Sequence, residues 1–258
     1  MDSSKIGAQL YSLRDHTQTL NGFTDTCERL AEIGFLAVQI SAIGPIQARD
    51  VAHVARDNGL TIAATHVSWK RCLEDLEGII REHHEWGCHH TAIGSLPWND
   101  YLSKEGAKQF VHEMNPIAEA LQFAGISFSH HNHQREFAHF DGKPWFQIVL
   151  DESAGSLLNF ELDVHWAQAG GADPAVWIEK FSGRQPLLHC KDYIVTSDGK
   201  RRFAEVGKGN MNWPAILNAA KAHGVEWYVI EQDDCYGQDP FECLEISLHN
   251  LEQFFAEL

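Results

Sequence analysis

Apolar residues gather in short, β-prone runs that recur along the whole chain: Ile6–Tyr11, Ala37–Ile40, Thr61–Val67, Thr91–Ser95, Ile126–His131, Leu158–Val164, Pro186–Cys190 and Trp227–Glu231. The stretches between them carry apolar residues at helical spacing, as in Phe23–Ile33, Val51–Asn58, Leu76–Trp86, Gly106–Phe123, Ala175–Phe181 and Ala215–His223. The helix following Val149 is the least distinct. Five helical stretches end in a glycine that runs directly into apolar sequence: Gly34, Gly59, Gly87, Gly125 and Gly224. Glycine just past a helix suits a left-handed cap from which the chain turns into a strand.

Eight strands alternating with helices, with no break in composition, predict one closed parallel (β/α)8 (TIM) barrel as a single domain spanning residues 1–258. The competing open, doubly wound sheet is disfavoured at its first turn. Tyr11-Ser12-Leu13-Arg14 follows strand 1 where a glycine-rich phosphate loop would be needed.

In such a barrel chemistry sits at the C-terminal ends of the strands, and polar groups collect there. Strand 3 ends at His66. Strand 5 runs into His131-Asn132-His133 with Glu136 beyond, and strand 6 into Glu161-Leu162-Asp163-Val164-His165-Trp166. Strand 7 ends in His189-Cys190-Lys191-Asp192 and strand 8 in Glu231-Gln232-Asp233-Asp234. Carboxylates with imidazoles and no thiolate suit one divalent ion, Mn2+, Co2+, Zn2+, Mg2+ or Fe2+. Such an ion acidifies a carbon next to a carbonyl, so the expected chemistry passes through an enediolate of a sugar or polyol. Strand alternation places His131 with His133, and Asp163 with His165, on shared faces, so that one of each pair ligates and the other meets substrate. His83, His84, His89 and His90 fall at a helix end and a strand start, the stability face, and read as structural. Neither His84-Glu85 nor His112-Glu113 completes a zincin motif.

Charge narrows the partners. Lys plus Arg number 20 against 36 acidic residues, a formal net charge of −16, and that field repels phosphate backbones and anionic membranes. A nuclease is thereby disfavoured; a non-catalytic carbohydrate-binding barrel is the remaining competitor, and buried carboxylates argue against it. The six cysteines show no paired spacing, and no secretory signal or membrane-spanning run is visible, so a reducing, cytoplasmic setting is expected. The apolar segment Ile246–Leu258 either closes the barrel, the expected role, or packs on a second copy in a homo-oligomer.

The chain resembles the sugar phosphate isomerase/epimerase superfamily of xylose isomerase-like barrels. The likeness rests on Ile6-Gly7-Ala8-Gln9-Leu10-Tyr11-Ser12-Leu13-Arg14-Asp15, His131-Asn132-His133 with Glu136-Phe137, Glu161-Leu162-Asp163, His189-Cys190-Lys191-Asp192, Val206-Gly207-Lys208-Gly209 with Asn212-Trp213, and Ile230-Glu231-Gln232-Asp233. It implies metal ligation by Asp163, His189 and Glu231. The family's strand-5 glutamate is replaced by His131, which is expected to ligate in its place, with Glu136 as the alternative. The resemblance further implies catalytic roles for His133 as base, Glu136, Lys191 and Glu231, and substrate contacts from His66, Trp98 and His165. Lys191 would steady an oxyanion, or else pair with Asp192. The implied activity is isomerisation or epimerisation of a keto-sugar, with β-elimination on a 3-keto-glycoside or inosose as the alternative from the same enediolate.

Overall fold

A computed structural model describes all residues 1–258. Eight parallel strands form a closed barrel: β1 (Ile6–Gln9), β2 (Ala37–Ile40), β3 (Thr61–Val67), β4 (His90–Ile93), β5 (Ser127–His131), β6 (Leu158–Asp163), β7 (Leu187–Cys190) and β8 (Trp227–Ile230). The strands follow one another round the ring, and β8 closes it by pairing with β1 at Ile6↔Tyr228 through Ala8↔Ile230. The predicted fold is present, and its strands lie within two residues of their expected limits.

The outer ring comprises α1 (Leu20–Ile33), α2 (Ala48–Asp57), α3 (Leu76–Trp86), α4 (Lys104–Phe123), α5 (Trp145–Glu152), α6 (Pro174–Lys180), α7 (Trp213–Ala222) and α8 (Pro240–Glu257). The five cap glycines all have positive φ, from 60° at Gly87 to 111° at Gly34, as a chain reversing from helix to strand requires. Helix α5 precedes β6 and spans Val149, beginning at Trp145 rather than after Val149. None of the helices is long and apolar enough to cross a membrane.

Two apolar cores result. A cluster of 59 buried residues fills the space between strands and helices. A smaller one, Ala37, Ala63, Ala64, Leu187, Trp227 and Val229, plugs the barrel interior. Residues two apart on a strand share a face. Gln39, His189 and Glu231 therefore stand inward directly above Ala37, Leu187 and Val229, and the apolar plug is the floor of a polar layer. The segment Ile246–Leu258 forms the last part of α8 and its C-cap and buries Ser247, Leu248, Leu251 and Phe255 against the barrel, the closing role.

Candidate metal centre

Strand ends bring nine ionisable groups together: His66, His131, His133, Glu161, Asp163, His189, Lys191, Glu231 and Asp233. Glu161 and Asp163 both face inward from β6, and both are fully buried. Asp163 is also the N-cap of the short helix Val164–Ala169: its Oδ1 accepts from Trp166 N–H at 2.8 Å. Asn132 ties β5 to this point, its Oδ1 accepting from Asp163 N–H (2.9 Å) and its Nδ2 donating to Asp163 O (3.3 Å). The other carboxylate oxygen, Asp163 Oδ2, has the Lys191 ammonium at 3.1 Å as its one charged neighbour.

His189 is completely buried, with Nδ1 2.9 Å from Glu231 Oε2 and Nε2 2.9 Å from Glu161 Oε1. Lys191 is equally sequestered, and its ammonium lies 2.8 Å from Glu231, 2.9 Å from Asp233 and 3.1 Å from Asp163. It does not pair with Asp192, the partner sequence adjacency offered. Asp192 instead gathers Tyr193, Gly207, Gly209 and Met211 N–H and Trp213 Nε1 around its carboxylate, at 2.7–3.3 Å. A Cβ on Gly209 would stand 2.1 Å from Asp192 Oδ1, which accounts for the glycine.

Burial and mutual charge set the protonation states. Burial works against the anion at Glu161, yet His189, His66 and His131 hold its carboxyl well below the ordinary range. Burial likewise opposes the charged forms of Glu231 and Lys191; Lys191 and His189 outweigh it for Glu231, and the three carboxylates outweigh it for Lys191. His189, against burial, is pushed up to about 10 by Glu161 and Glu231. At Asp163 burial prevails over the Lys191 charge and raises the carboxyl. Burial also lifts Asp233 to about 6. His131 is driven well below its usual value by burial and the neighbouring His189 charge. His133 is held down to about 3, by burial and then by Lys191.

Above this layer opens a cavity of about 810 Å3, walled by Tyr11, His66, Trp69, His131, His133, Lys191, Glu231 and Asp233 among others. Of the residues singled out from sequence, His66, His131, His133, Lys191 and Glu231 reach the cavity, with Asp163 and His189 buried beneath it. Glu136, Trp98 and His165 do not line it. Helix geometry begins at Val164, so the alternation expected to put His165 beside Asp163 stops, and His165 packs against Trp166, Tyr193 and Phe203. Trp98 lies edge-on against Trp145 at 5.5 Å. Glu136 is fully buried, 3.2 Å from His130 Nε2. Burial raises Glu136 well above its usual range and lowers His130 to about 3, so the two are a neutral hydrogen-bonded pair and not an ion pair. Sequence reasoning assigned no role to Glu161, Asp233, Gln9 or Gln39. Strand period supplied a signal for Glu161, two residues before Asp163.

The donor atoms of His131, Asp163, His189 and Glu231 lie within 4.8 Å of one another, as do those of His66, His131, Glu161 and His189. Nitrogen and carboxylate donors without thiolate fit a hard or borderline divalent ion. Asp163 Oδ2 and His131 Nδ1 are buried and have only ion-pair neighbours, Lys191 at 3.1 Å and Glu161 at 3.2 Å, with no hydrogen bond of good geometry, so such an ion would satisfy them.

Residues 27–245 match the family model described as xylose isomerase-like TIM barrel, and the chain belongs to that family. A sugar phosphate isomerase/epimerase from Parabacteroides distasonis has the same fold at TM-score 0.81 and 26% identity, covering 98% of this chain and 94% of that one. An L-ribulose 3-epimerase (TM-score 0.74, 14% identity, coverage 98% and 94%) shares the fold. So does a probable 3-DHS dehydratase from Bacillus anthracis (TM-score 0.72, 14%, coverage 96% and 98%). Among curated sequences, ribosomal RNA large subunit methyltransferase M of Vibrio vulnificus is 27% identical over 121 residues, 41% of this chain. The chain spans about a third, 33%, of that relative's length.

Proposed function

Starting from this family membership, we propose that the protein is a divalent-metal-dependent sugar isomerase or epimerase acting on a keto-sugar or related polyol. The observation that carries the reading is the quartet His131, Asp163, His189 and Glu231 beneath a cavity that also presents His133 and Lys191. These four residues would hold the ion. When bound, it supplies Lewis-acid polarisation of a substrate carbonyl and its neighbouring hydroxyl.

The chain's own groups then divide the proton work. His133, held down to about 3, is unprotonated throughout the neutral range and takes a proton from the carbon beside the carbonyl. Glu136, hydrogen-bonded to His130 Nε2 at 3.2 Å outside the cavity, supports the end of β5 behind His133. The Lys191 ammonium faces the oxygen on which negative charge grows. Glu231, kept ionised beside it, exchanges a proton with the substrate hydroxyl. His66 offers a polar wall to the sugar, while Trp98 and His165 support the mouth from the layer behind.

Asp233 favours β-elimination as a second reading. Its carboxyl, raised to about 6, lines the same cavity and can protonate a departing hydroxyl or alkoxyl.

The test is metal content by mass spectrometry on wild type and Asp163→Ala, with turnover of keto-sugars and a 3-keto-glucoside assayed alongside. About one ion per chain, lost in the variant together with activity, is the expected result. A wild type without metal after supply of Mn2+ or Co2+ refutes the reading. Product identity separates isomer from eliminated product.

A further inference from the structure

Beneath the proposed ligands runs a directional hydrogen-bond chain. Tyr11 N–H donates to Gln9 Oε1 at 3.4 Å, which turns Gln9 Nε2 towards Gln39 Oε1 at 2.9 Å. Gln39 Nε2 in turn donates to Glu161 Oε2 at 3.0 Å. A carboxylate only accepts, so Glu161 fixes the direction of the chain at one end and a backbone amide fixes it at the other.

The consequence falls on His189. Its Nε2 faces two acceptors, Gln39 Oε1 at 2.7 Å and Glu161 Oε1 at 2.9 Å. Two acceptor oxygens against one ring nitrogen require that it keep its proton, because a lone pair there would face theirs. Nδ1, on the opposite edge beside Glu231 Oε2, is left as the nitrogen able to give up a proton and bind a cation. The same Glu161 oxygen meets His66 Nε2 at 2.6 Å, while His66 Nδ1 lies 3.4 Å from the donor Gln9 Nε2. His66 is thereby set in the matching tautomer.

We infer that Glu161 is a positioning residue: with Gln39 it locks His189 so that Nδ1 alone faces the metal position. The inference rests on the metal-dependent reading above. It assigns Glu161 to orientation rather than ligation, although Glu161 also belongs to the deeper quartet with His66, His131 and His189. Partners of this kind alter metal affinity by about 10–100-fold.

Glu161→Gln leaves the side chain's shape and replaces an acceptor by a donor, so one link of the chain must reverse. Zinc binding is measured by titration calorimetry, and the zinc-loaded proteins are compared by 15N-resolved imidazole NMR. The expected result is about 10–100-fold weaker zinc binding at unchanged stoichiometry. The His189 pattern should change from a single Nε2–H form to a mixture of tautomers. Gln39→Met, which removes one of the two acceptors, should weaken binding less and shift the same resonances, and it decides the matter if Glu161→Gln does not fold. Wild-type affinity and an unchanged His189 pattern in the variant tested overturn the inference. A folded Glu161→Gln protein that takes up no zinc, like Asp163→Ala, also overturns it by making Glu161 a ligand. A wild type that binds no zinc removes the proposed function and this inference together.

Discussion

Replacing Lys191 by methionine removes the only ammonium among Asp163, Glu231 and Asp233 while keeping most of the side chain's volume. Each contact, at 2.8–3.1 Å, is worth about 6 kcal/mol of gross attraction at an effective dielectric near 20. Much of that sum offsets the cost of burying the ammonium itself, and breaking a buried ion pair typically costs about 3–5 kcal/mol net. For a chain of this size that lowers the melting temperature by roughly 6–20 °C. The assay is urea unfolding of chelator-treated wild type and Lys191→Met between pH 8 and pH 5. Without the ammonium, folded-state carboxyl pKa values rise above their unfolded values, so acid restores stability to the variant. In wild type Glu231 is depressed, and its contribution stays whole down to its unfolded value near 4.3, below the range scanned. The first effect therefore narrows the gap towards pH 5. Equal stability at pH 8, or a gap that does not change with pH, refutes the reasoning.

His133→Ala should slow turnover by about 10²–10⁴-fold while leaving metal content unchanged; full activity would remove His133 as the base. His130 should destabilise the protein in acid. Its folded-state pKa near 3 lies below the unfolded value near 6.5, so its contribution is lost as pH falls from about 6.5 towards 3. At pH 5 the loss is about 2 kcal/mol, read as a steeper acid slope than that of His130→Leu; parallel slopes would exclude it.

The barrel was legible because its strands are continuous apolar runs bounded by helix-capping glycines, both local features. Helix α5 was not. It is apolar over most of its surface (Trp145, Phe146, Ile148 and Val149 are all buried) and has no side-chain N-cap, so neither a polar face nor a start signal marks it. The proposed ligands stood out because carboxylates and imidazoles are costly at strand ends unless used. Gln9 and Gln39 carry no charge and sit within apolar runs, and only the ring of strands reveals that they meet Glu161 and His189. His165 was misdirected by the assumption that strand alternation continues past the barrel rim; a helix begins at Val164 and rotates its side chain away. Trp98 opens a short helix and lies against Trp145 instead of the cavity.

The Asp192 clasp bears on how this barrel tolerates sequence change. Five donors from a segment reaching Trp213 converge on one carboxylate, so drift at the glycines there is penalised collectively. The strand pair Asp192–Val195 and Arg201–Ala204 springs from the same clamp, but its tip at Thr196–Lys200 contributes nothing to it and is largely exposed. Insertions and substitutions at that tip are therefore decoupled from the buried charge layer. Evolution or a designer can lengthen the tip without disturbing the groups below.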